Sequence, residues 1–232
     1  MRGIDSGPRA TFELEAVSIR LTGGPVAGID EAGRGPLAGP VVAAAVMLDP
    51  DNIPPGIADS KMLDPDVREH LFAAIMASSK VGVGIASVAR IDRINILQAT
   101  LWAMRQAVKA LDPAPRVALV DGNQPPRLAC ETRCIVQGDS KCLSIAAASI
   151  IAKVTRDRLM VKLGADFPGY GFERHKGYST PGHQAAIAQL GVTPHHRRSF
   201  RPIQLALGLI DPAPALTIVE TVTPARLETA LD

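Results

Sequence analysis

Aromatic side chains are scarce in this chain of 232 residues: five Phe, two Tyr and one Trp make up 3%. With so little ring volume, a core has to be filled by Ala, Val, Ile and Leu, the residues of close-packed helices and of strands buried on both faces. Cysteine is scarcer still. Cys130, Cys134 and Cys142 are odd in number and match no zinc spacing, so they read as free thiols of a reducing compartment and not as a disulfide scaffold. Long hydrophobic runs are missing as well. The longest uninterrupted one, Val41 to Leu48, has eight residues, against the roughly 20 that a bilayer span needs. The N-terminus carries Arg2, Asp5, Arg9 and Glu13 with no apolar stretch between them. No secretory signal and no membrane role are expected, and the chain reads as cytoplasmic. What is present, 47% hydrophobic and 21% charged residues, is ordinary globular usage and excludes a disordered or collagen-like chain.

Net charge is only +2, but it is unevenly spread. Between Ile150 and Arg201 stand nine Lys and Arg against three acids, Asp157, Asp166 and Glu173. A basic segment in a near-neutral chain points to an anionic partner, nucleic acid first, or to a solvated helical face.

Hydrophobic patterning alternates strands with helices. Strands are expected over 26–30, 40–48, 81–88, 116–120 and 134–136. Helices are expected over 65–78, where Asp64 precedes a first-turn Pro65, and over 94–111, 144–163 and 181–190. The pattern is that of an α/β domain with a sheet covered by helices. Residues 1–24 show no clean periodicity and end at Gly23-Gly24-Pro25, which reads as an extension of which no order is required. The domain proper spans 25–209, and 210–232 is a Pro/Ala-rich tail.

Acids recur where apolar strands end. Asp30 and Glu31 close the first strand just before Gly33-Arg34-Gly35; Asp121 closes Val117–Val120 and precedes Gly122; Asp139 sits in Gly138-Asp139-Ser140 ahead of the long helix. The C-terminal edge of a sheet is where α/β folds place their ligands. Glycines beside the acids let backbone approach a ligand, and Arg34 adds a fixed cation. Several carboxylates gathered together repel one another unless cations neutralise them. Oxygen-only ligands without a His or Cys cluster select Mg²⁺ or Mn²⁺ over zinc. Two such ions roughly 3.5–4 Å apart are the recurrent device of phosphodiester chemistry. Together with the basic segment, these acids point to a metal-dependent nuclease.

These residues also carry a resemblance. The segments Ala27–Pro40 (AGIDEAGRGPLAGP), Asp59-Ser60-Lys61, Val120–Asn123 (VDGN), Gln137–Ser140 (QGDS), Ser144–Asp157, Tyr170–Phe172, His175–Thr180 (HKGYST) and His195–Phe200 (HHRRSF) are similar, in order, to the bacterial ribonuclease HII family. The resemblance runs over roughly residues 25–209. It implies a ribonuclease-H-like fold, with a central mixed β-sheet flanked by helices and a helical C-terminal part. It implies an endoribonuclease that degrades the RNA strand of RNA/DNA hybrids. The same activity would incise DNA 5′ to single embedded ribonucleotides, giving 3′-hydroxyl and 5′-phosphate ends. On the same ground Asp30, Glu31, Asp121 and Asp139 are the expected catalytic, metal-binding carboxylates, holding two Mn²⁺ or Mg²⁺ ions. Gly33, Arg34 and Gly35 are expected to read the ribose 2′-hydroxyl and adjacent phosphate, and Tyr178 to stand in the minor groove against the neighbouring deoxyribose. Lys61 and the basic residues near Arg197 are expected on backbone phosphates. RNA/DNA hybrid and DNA with embedded ribonucleotides are the expected partners; no protein partner is legible, and a monomer is expected. Met62 and Gln137 stand where many relatives place Lys, which removes two cations near the backbone track.

The remaining polar and aromatic residues are read from their settings. Asp157 is expected to pair with Arg156 or Arg158, while Ser149 and Lys153, four apart on one helical face, read as helix surface. Phe167, Phe172 and Trp102 are expected to pack into the core and Tyr178 to be exposed. His195 and His196 are expected to be structural or phosphate-contacting. Two alternatives remain open to the sequence: a ribonuclease HIII-like hybrid nuclease poor at single ribonucleotides, and a hybrid-binding module without turnover.

Overall fold

A computed structural model describes residues 10–211, leaving the start of the extension and most of the tail outside the described residues. Five strands, β1 (Val26–Ala32), β2 (Val41–Met47), β3 (Lys80–Ala86), β4 (Val117–Asp121) and β5 (Glu131–Ile135), form one sheet in the order β3-β2-β1-β4-β5. The first three strands pair antiparallel, while β4 and β5 add in parallel to β1. Among the described residues seven α-helices accompany them: α1 (Glu13–Thr22), α2 (Pro65–Ser78), α3 (Val88–Lys109), α4 (Leu143–Asp166), α5 (Phe172–His175), α6 (Pro181–Leu190) and α7 (Arg201–Ala206). This is the mixed, helix-flanked sheet that the sequence leads one to expect.

β2 reads as an unbroken apolar run because both of its faces are covered. Ala43, Ala45 and Met47 pack in one layer with Ile91, Ala103 and Met104 of α3. Ala44 and Val46 pack in the other layer with Ile150 and Ile151 of α4 and Ile75 of α2. The helices come very close to the strands. A Cβ at Gly84 would lie 2.0 Å from the Ala103 carbonyl, and one at Gly28 would lie 2.1 Å from the backbone of Ser144. Layers this tight leave little room for rings, which accounts for the shortage of aromatics.

Four helices differ from expectation. Residues 13–22, set aside as part of an extension, form α1. The third helix starts six residues earlier than its periodicity suggests, capped by Ser87, because it is broken at Asn95 (φ 63°) and restarted by the Asn95 side chain accepting from the Gln98 amide at 3.0 Å. The short helices α5 and α7 escape a periodic pattern altogether. Cys130, Cys134 and Cys142 are free thiols. Among the described residues no helix is long and apolar enough to cross a membrane.

Candidate active site

The parallel pairing of β1 with β4 sets Ile29 opposite Val120, so the next residues, Asp30 and Asp121, stand side by side at neighbouring strand ends. β5 runs alongside and leads into a 3₁₀ turn, Gly138–Ser140, that carries Asp139. The Gly138 amide donates to Asp121 Oδ1 at 2.7 Å, tying the turn to β4. The Glu31 amide donates to Asp30 Oδ1 at 2.6 Å. Among the described residues two cations reach these acids: Arg34, with Nη1 3.2 Å from Glu31 Oε1, and Lys61, with Nζ 3.5 Å from Asp139 Oδ2.

The electrostatics follow from that imbalance. Burial, then the charges of Glu31 and Asp121, hold the Asp30 carboxyl well above the usual carboxylate range. Burial also raises Glu31, with Arg34 opposing it. Asp139 rises through burial and through the charges of Asp59 and Asp121. Burial acts to lower the Lys61 ammonium, yet Asp59, Asp139 and Asp30 together carry it upward. Among the described residues no three such ligands close on a single point as a finished coordination sphere. The donor set nevertheless fits hard divalent cations: every ligand is a carboxylate oxygen, the most buried of them is the most perturbed, and the repulsion among them is of the kind a divalent ion relieves.

Asp30 and Glu31 open into a cleft of about 320 Å³. The turn Gly33–Gly35 and Tyr178 line it, with Lys61 and Lys153 among the cations. Gly33 has φ +96°, and a Cβ there would lie 1.9 Å from Arg156 Nε; a Cβ at Gly35 would be 3.8 Å from Tyr178 Cε1. Tyr178 is 47% exposed, with its ring beside the glycine turn.

Several residues lie elsewhere than expected. Arg197 is not on the surface. It is fully buried, and its guanidinium donates to the carbonyls of Gly33, Arg34, Gly39 and Pro40, so the phosphate contact expected of it does not fit its position. Asp157 pairs with Lys153 at 2.8 Å, not with Arg156 or Arg158, because Arg156 turns inward and Arg158 reaches Glu69. Ser149 and Lys153 belong to the cleft, with Ser149 Oγ 2.7 Å from Ser60 Oγ. Trp102 packs against the core as expected, partly buried with Arg90 over its ring at 3.8 Å, and Phe172 is fully buried.

His183 and His196 form a buried hydrogen-bonded pair, whereas His195 lies edge-on to Phe167. The Thr193 amide donates to His196 Nδ1 (3.0 Å), so His196 donates through Nε2 to His183 Nε2 (3.0 Å), and His183 donates through Nδ1 to the Tyr178 carbonyl (2.9 Å). Every proton in that relay is accounted for with both rings neutral. Burial and the facing His183 push His196 down to about 4, and burial likewise lowers His183.

One supporting residue lies outside anything the sequence suggested. Glu15 of α1 accepts from the Ser144 amide and hydroxyl, both at 2.7 Å, capping α4 across 129 positions. Thr11 brackets the same segment, donating to the Lys141 carbonyl and accepting from the Leu143 amide. No local pattern announces a cap whose partner is so distant.

A family model described as Ribonuclease HII matches residues 27–203. Ribonuclease HII of Azorhizobium caulinodans is 58% identical over 194 residues, covering 84% of this chain and 75% of that protein. Ribonuclease HII of Bradyrhizobium diazoefficiens is 58% identical over 198 residues, covering 85% and 76%. Among solved structures, the ribonuclease H2 from Pyrococcus horikoshii OT3 is similar at a TM-score of 0.68 and 30% identity, covering 80% of this chain and 98% of that one.

Proposed function

The chain belongs to the ribonuclease HII family, metal-dependent nucleases that hydrolyse the RNA of RNA/DNA hybrids, and from that premise we propose that it also incises DNA duplexes 5′ to single embedded ribonucleotides, leaving 3′-hydroxyl and 5′-phosphate ends. Asp30, Glu31, Asp121 and Asp139 hold two divalent ions, Mg²⁺ or Mn²⁺. When bound, these supply Lewis-acid polarisation of the phosphodiester and a nucleophile at neutral pH.

The observation that carries this reading is the shared cleft. Asp30 and Glu31 border the same space of about 320 Å³ as the turn Gly33–Gly35 and Tyr178, so recognition and cutting address the same nucleotide. A 2′-hydroxyl is what separates RNA from DNA at one position, and it is both donor and acceptor. Gly35 presents bare backbone to it, and the neighbouring Tyr178 ring offers an apolar face to the adjoining sugar. Lys61 and Lys153 flank the cleft and take backbone phosphates, which positions the duplex without reading bases. Arg34, held near Glu31, stands between the acids and the approaching phosphate.

The test uses a labelled DNA duplex with one ribonucleotide, an all-DNA duplex and an RNA/DNA hybrid, each with Mg²⁺, Mn²⁺ or EDTA. A metal-dependent single cut 5′ to the ribonucleotide, with the all-DNA duplex intact, is the expected result. Cleavage of the hybrid alone would overturn the single-ribonucleotide reading in favour of a hybrid nuclease of the HIII type.

A further inference from the structure

Two guanidiniums lie directly behind the glycine turn, and neither is neutralised by an acid. Arg156, from α4, is 1% exposed and Arg197, from the segment before α7, is 0% exposed. Among the described residues neither has a carboxylate within ion-pair distance. Arg197 donates to the carbonyls of Gly33 (2.5 Å), Arg34 (2.8 Å), Gly39 (3.0 Å) and Pro40 (3.3 Å). Arg156 donates to those of Pro40 (3.0 Å), Ala38 (3.1 Å) and Lys176 (3.0 Å). Burying a charge without a counter-ion is expensive, and filling space alone never requires it.

All seven bonds end on two segments: residues 33–40, between β1 and β2, and Lys176, two residues before Tyr178. A trans peptide points its carbonyl and its amide in opposite directions. With the Gly33 and Arg34 carbonyls drawn inward onto Arg197, the amides of Arg34 and Gly35 face away from it, where both residues are exposed. Among the described residues neither amide donates to another protein group. Two adjacent free amides backed by fixed positive charge form a concavity for an oxygen ligand. On the other segment, Arg156 grips Lys176, the Gly177 carbonyl accepts from the Leu37 amide (2.8 Å), and the Tyr178 ring is held beside Gly35.

We propose that Arg156 and Arg197 are positioning residues for ribonucleotide recognition, orienting the Arg34 and Gly35 amides and setting the gap between the glycine turn and Tyr178 to the width of one ribose. The inference rests on the reading under Proposed function, since it names what makes that cleft selective. Burial, then the neighbouring Arg156, pushes Arg197 down to about 9, so it stays charged at neutral pH. The two charges also give a phosphate entering the cleft a favourable field that does not depend on surface side chains.

The test is equilibrium binding, in EDTA, of a duplex with one ribonucleotide and of its all-DNA counterpart, to the wild type, Arg197→Lys and Arg156→Lys. Lysine keeps the charge but cannot fork across several carbonyls. Melting temperature and calorimetric Mn²⁺ binding are measured alongside. The wild type is expected to prefer the ribonucleotide duplex. Each folded variant is expected to lose about tenfold of that preference, the worth of one or two misplaced hydrogen bonds, while its Mn²⁺ and all-DNA affinities hold. A merely structural role would weaken both duplexes alike, and that result, or an unchanged preference, overturns the inference. If Arg197→Lys does not fold, Arg156→Lys is read by the same criterion. A wild type with no preference would overturn the single-ribonucleotide reading and this inference together, an outcome distinct from a variant that behaves as the wild type does.

Discussion

The two sides of the cleft are unbalanced in opposite senses. At the strand ends and the turn that follows β5, four carboxylates have, among the described residues, only Arg34 and Lys61 as ion-pair partners, and the most buried, Asp30, is pushed furthest from its ordinary state. Behind the glycine turn the hydrogen bonds of two guanidiniums end, among the described residues, on carbonyl oxygens and not on carboxylates. One side carries an excess of negative charge and the other an excess of positive charge, the combination that the proposed divalent ions and phosphodiester would complement. The difference also separates tasks: the acids sit on rigid strand ends suited to holding ions, while recognition sits on turns that other side chains must brace.

Breaking the acidic side should have the largest effect. Asp121→Asn is expected to lower hybrid cleavage by on the order of 10³-fold or more, since several kcal/mol of charge stabilisation go with the ions. Circular dichroism and melting should show an intact fold, and near-normal turnover would contradict the assignment. On the other side, Gly33→Ala forces a Cβ into the Arg156 guanidinium at a backbone angle that disfavours side chains. A loss of about 10²-fold in kcat/KM is expected from displacement of the turn, with Mn²⁺ binding retained.

The comparison sharpens with pH. His196 and His183 have lowered folded-state pKa values, so the unfolded chain binds more protons. Their contribution is full above about 6.5 and is lost as the pH falls toward 4, a cost on the order of 3 kcal/mol in urea titrations. His196→Gln should flatten that slope. Asp30 has the opposite sign. Its raised pKa means that stability present below the unfolded value near 3.8 is lost as the pH rises through the folded one. In metal-free protein at neutral pH, Asp30→Asn is therefore expected to raise Tm by a few degrees, about 1 kcal/mol, while reducing the further rise that Mn²⁺ produces. A lower Tm in EDTA would show that repulsion at the strand ends is not what strains the site.

How much of this was legible in the sequence depends on how local each signal is. The bounds of α2 and α6 are as read, because a proline is tolerated in the first turn and little further in. The neighbouring strand-end positions of Asp30 and Asp121 were legible because each acid closes an apolar run. Arg197 was misplaced because a cation within a basic stretch looks like surface; only its carbonyl partners, more than 150 positions away, turn it inward. Lys153 was likewise read as helix surface, although the face it shares with Ser149 borders the cleft. The helix α1 went unread because the contact that gives it a purpose, from Glu15 to Ser144, leaves no periodic trace.

The most direct measurement is a calorimetric titration of Mn²⁺ into substrate-free protein, wild type against Asp121→Asn, with Tm followed in parallel. Saturable binding by the wild type, a rise in its Tm, and marked weakening of both in the variant are expected. Equal binding by the two proteins, or none by either at millimolar Mn²⁺, would contradict the assignment of the strand-end acids as the metal centre.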